Sequence, residues 1–71
     1  MTKKQINAST QVKKDYLGNV YYVLFIDELE YRAFKGHPIK GYQDGCIVYT
    51  SSRVYTKKDF VNAVKTALMF V

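Results

Sequence analysis

The longest apolar run in the chain, VYYVLFI at Val20–Ile26, is β-branched or aromatic at nearly every position. In an extended strand Val20, Tyr22, Leu24 and Ile26 fall on one face, and Tyr21, Val23 and Phe25 on the other. Both faces are apolar, which is the pattern of a central strand with something covering each side. Tyr22, Phe25, Ile26 and Leu29 also satisfy helical spacing. High β-propensity and the preceding Leu17-Gly18-Asn19 turn decide for a strand. That turn joins it to a first strand over residues 11–16. Asp27-Glu28 makes a short polar turn. Beyond it Leu29, Tyr31 and Ala33 alternate with Glu30, Arg32 and Phe34, a third strand with one wetter face.

Polar residues 1–9 read as a loose N-terminal arm. Residues 36–45 hold three of the four glycines and the one proline, and read as a long loop. A fourth short strand follows at 46–50, then Ser51-Ser52 and a brief extended stretch at 54–55. The period then changes. Thr56 and Asp59 have the spacing of a capping box, and Phe60, Val61, Val64, Leu68 and Val71 recur every three or four residues. The spacing predicts a helix over 57–71. The expected architecture is α+β: a three- to four-stranded antiparallel sheet, with one C-terminal amphipathic helix packed on one face.

Composition narrows the class. A chain of this length forms one domain that buries about 60% of its unfolded surface. Its 48% hydrophobic and 15% aromatic content is high for that size, which implies either very efficient packing or apolar surface shared with a second chain. A single cysteine, Cys46, precludes an internal disulfide. No apolar run reaches the ~20 residues of a membrane span, no leader pattern opens the chain, and a cytoplasmic protein is expected. Starting at Met and stopping within a helix, it reads as a whole small gene product. The net charge of +5 favours anionic partners mildly. Lysines occur in pairs (3–4, 13–14, 57–58), either as solubility devices or as a basic rim around the acidic turn at Asp27, Glu28 and Glu30.

Catalytic chemistry finds little footing. His37 and Cys46 are the only members of their types, with no third group to orient an imidazole base. Structural zinc wants four such ligands, and the glycines match no phosphate-binding spacing. No metal, cofactor or small-molecule substrate is expected. The 36–45 stretch, with His37, Lys40 and Tyr42, reads equally as a functional loop or a plain crossover.

What remains is apolar surface that one helix cannot cover. Tyr21, Val23, Phe25 and Tyr31 are the expected sheet-side contact, with Met69, Phe70 and Val71 as a second patch at the helix end. The N-terminal arm folding back would be the plain alternative. The expectation is a non-enzymatic, self-associating protein-binding module. Phages and mobile elements use such proteins to modulate or inhibit a host machine by occluding a surface. The alternative is a small basic regulator that binds nucleic acid through its sheet or hairpin, using Lys13, Lys14, Arg32, Lys57 and Lys58.

Overall fold

The computed structural model describes the backbone of residues 1–69, and the side chains of all of these except residues 49–51. In chain order the elements are α1 (Lys3–Ser9), β1 (Gln11–Lys14), β2 (Val20–Ile26), β3 (Leu29–Phe34), β4 (His37–Gln43), β5 (Cys46–Val54) and α2 (Lys57–Leu68). The five strands form one antiparallel sheet in the order β1-β2-β3-β4-β5. Both helices lie on the same face of it.

Three differences from the sequence-based expectation concern elements. First, the sheet has five strands rather than three or four, because most of the expected 36–45 loop is β4. Gly41, buried between Tyr31 and Tyr49 in register, lets β4 run through the sheet, and Pro38 sits near the strand's start. The real turn is Asp44-Gly45. Both residues have positive φ (52° and 78°), the mirror-image geometry that suits a two-residue hairpin. Second, the Ser51-Ser52 interruption is absorbed. β5 continues through it with shifts in its register against β4, the mark of bulges.

Third, residues 3–9 are a helix instead of a loose arm. Thr2 Oγ1 accepts from Gln5 N (3.2 Å) and Gln5 Oε1 accepts from Thr2 N (2.8 Å), a complete capping box. Ile6 is fully buried, the only buried side chain of α1 and its one anchor in the core. Lys65 Nζ on α2 donates to Met1 O (2.8 Å) across the pair.

The core lies between the sheet and the helices. β2 contributes Tyr22 and Leu24, β3 Tyr31 and Ala33, β4 Ile39 and β5 Val54. α2 brings Phe60, Val61, Val64 and Ala67, and α1 brings Ile6. α2 begins where the sequence placed it. Thr56 Oγ1 accepts from Asp59 N (3.1 Å), and Asp59 Oδ2 accepts from Thr56 N (3.0 Å) and Tyr55 N (3.1 Å). Its last described turn closes at Met69.

Candidate docking face

The opposite face of the sheet has no element over it among the described residues. Register arranges its side chains in three cross-strand rows. Lys13, Tyr21 and Phe34 form one; Gln11, Val23, Arg32 and Lys40 the next; Phe25, Glu30, Tyr42 and Ile47 the third. Directly opposed residues share a face and lie within side-chain reach. The Tyr21 and Phe34 rings accordingly meet with centroids 5.1 Å apart, and Phe34 meets His37 edge-on at 6.5 Å. The Arg32 guanidinium sits 5.3 Å from the Tyr21 centroid, and its Nε donates to Glu30 Oε1 at 2.7 Å. A cleft of about 270 Å³ opens between β3 and β4, walled by Arg32, Phe34, His37, Pro38, Lys40 and Tyr42.

This arrangement separates the residues expected to act together. Tyr21 is partly exposed and Phe25 is 57% exposed, both on the open face. Val23 shares that face but is only 2% exposed, enclosed by its neighbours. Tyr31 is on the wrong side. The two-residue turn at Asp27-Glu28 pairs Ile26 with Leu29, so Tyr31 stands opposite Leu24 and is fully buried under the helices. Met69 is 74% exposed at the end of α2; Phe70 and Val71 lie outside the described residues. Phe34, Lys40 and Tyr42 join the face instead, the last two because β4 is a strand.

Of the five cations named for nucleic acid, only Lys13 and Arg32 reach the open face. Lys14, Lys57 and Lys58 gather at one end of the sheet, where β1 finishes and α2 begins. His37 and Cys46 occupy opposite ends of the β4–β5 ladder, His37 opposite Val54 and Cys46 opposite Gln43. At ~3.3 Å per residue that is about 20 Å, too far for a thiol and an imidazole to share a proton. Among the described residues no group of three or more His, Cys, Asp or Glu side chains could hold a metal, and no helix is long and apolar enough to cross a membrane.

No family model, curated protein or solved structure matches this chain.

Proposed function

We infer that this protein is a non-enzymatic binding module that docks the open face of its sheet on another protein, a second copy of itself included. Such docking modulates the target by covering the surface it needs, the mode of action expected of a phage- or mobile-element-type inhibitor. The observation that carries this reading is a five-stranded sheet with both helices on one side, and with Tyr21, Phe25, Phe34 and Tyr42 in register on the other.

Charge decides which occupant suits the face. The Glu30 carboxylate neutralises Arg32, leaving Lys13 and Lys40 as the formal excess over three rows. Two phosphate contacts give a single strand a salt slope of only about −1.4, a weak electrostatic hold. Tyrosine and arginine packed together in a nearly neutral patch are instead the composition of protein hot spots.

The test uses Phe25→Asp and Tyr42→Ala. Phe25 is more than half exposed, so its replacement should cost about 1 kcal/mol of stability or less. Self-association is read by sedimentation equilibrium, and capture of a target by pull-down followed by titration of the purified partner. Each variant should weaken the wild-type interaction about tenfold or more. A partner or dimer that tolerates both substitutions would exclude the open face as the docking site.

A further inference from the structure

The charged residues of this protein are sorted along the strand axis. Asp27 and Glu28 form the β2–β3 turn, Asp44 lies in the β4–β5 turn, and Glu30 stands beside them opposite Phe25 and Tyr42. Four of the six acids therefore crowd one end of the sheet. The other end carries Lys13 and Lys14 as β1 finishes, Lys35 in the β3–β4 turn, Arg53 near the end of β5, and Lys57 and Lys58 as α2 begins. Only Asp15 and Asp59 oppose these six cations there. Both carboxylates are engaged locally, Asp15 by Leu17 N and Asn19 N and Asp59 by Tyr55 N and Thr56 N.

The backbone segments that bear these cations are connected into a stripe along this end. Lys14 pairs in register with Val20, and Val20 O accepts from Lys35 N at 3.2 Å. Gly36 follows, its carbonyl holding Arg53 Nη1 at 2.6 Å. The Tyr55 ring lies where a side chain at Gly36 would meet it, and the chain then passes to Lys57 and Lys58. From β1 to β5 the stripe crosses four strand spacings, about 19 Å. Two exposed tyrosines lie along it. Tyr16 is 95% exposed in the β1–β2 turn, and Tyr55 is 54% exposed.

We propose that this basic end binds single-stranded nucleic acid, with the lysines and Arg53 on phosphates and Tyr16 and Tyr55 stacking on bases. Charge complementarity selects a polyanion, because six cations lie along a path that carries only two of the protein's six acids, Asp15 and Asp59. The exposed rings select an unpaired strand. A base can stack on an aromatic side chain only when it is out of the duplex, and each such stack is worth about 1–3 kcal/mol. Bulk solubility does not require this sorting, since interspersed charges serve it as well. The site shares only Lys13 with the open face, and its other five cations and both its tyrosines lie outside that face's three rows.

Fluorescence anisotropy with labelled oligothymidine and oligouridine, across a salt series, tests the proposal on the whole chain. With at least three phosphates engaged, log affinity should fall against log salt with a slope of about −2 or steeper. Lys35→Glu combined with Lys57→Glu should weaken binding tenfold or more. Tyr16→Ala should weaken it about fivefold or more, without moving the melting temperature of so exposed a residue. Phe25→Asp, at the acidic end, should leave strand binding intact even if it abolishes docking on protein. The proposal is overturned if the wild-type chain shows no binding at low salt, or if charge reversal has no effect. It is equally overturned if a duplex binds as tightly as the single strand and Tyr16→Ala is silent, which would reduce the stripe to a patch for any polyanion.

Discussion

Asp59 shows how much a single side chain fixes. Hydrogen bonds from Tyr55 N, the largest influence, and from Thr56 hold its carboxyl below the ordinary value of 3.8, against some desolvation, with Lys58 adding attraction. Asp15 is alike in outcome. Desolvation pushes its carboxyl up, and the hydrogen bonds from Asn19, Leu17 and Gly18 together outweigh that and lower it. A group whose folded pKa is depressed contributes stability above its unfolded pKa, and loses it as pH falls through the folded value. Asp59→Ala should therefore melt below wild type at neutral pH. The gap should close on acidification from the ordinary carboxylate value downward. Circular dichroism melts over a pH series measure it, and a gap that persists in acid would show that Asp59 acts through packing rather than charge.

At the scale of elements, the clearest consequence concerns α1. Ile6 has no exposed surface, so Ile6→Ala should cost about 2–5 kcal/mol in urea unfolding, where a loose arm would give almost nothing. The signals for this helix were present in the sequence. Thr2 and Gln5 have capping-box spacing, but Met1, Ile6 and Ala8, the only apolar residues of the first nine, set up no helical stripe to go with it. Asp44-Gly45 likewise carried the strongest hairpin signal of the chain, overshadowed by Pro38 and three glycines that read as loop. Tyr31 could have been placed by counting from the Asp27-Glu28 turn, since a two-residue turn sets which side chains share a face. The bulges that carry β5 through Ser51-Ser52 could not be read, because they depend on how β4 pairs with it. What was legible followed from dense local pattern: the two-faced β2 strand, and the Thr56 cap with the helix behind it.

For the whole molecule, the gathering of six cations at one end means that the folded chain repels itself there. At low salt this repulsion reaches the length of the stripe, whereas near physiological ionic strength the screening length is only about 8 Å. The melting temperature should therefore rise by a few degrees as sodium chloride is raised from ~10 mM to ~150 mM, the opposite of what surface ion pairs alone would give. Lys35→Glu with Lys57→Glu should flatten that dependence. Differential scanning calorimetry at matched protein concentration is the measurement. A melting temperature that falls with salt would mean that attraction between charges, and not crowding of cations, dominates the surface.

The two helices that cover the sheet flank it in the chain, and among the described residues α2 alone supplies four of the eleven in the core cluster. All five strands leave the ribosome before α2 does. Until residue 68 has emerged, the nascent sheet exposes Leu24, Tyr31, Ile39 and Val54 on one side and Tyr21, Phe25 and Tyr42 on the other. The polypeptide thus passes through a stage of synthesis in which both faces of its sheet are adhesive, and any delay in translating the α2 codons prolongs that stage.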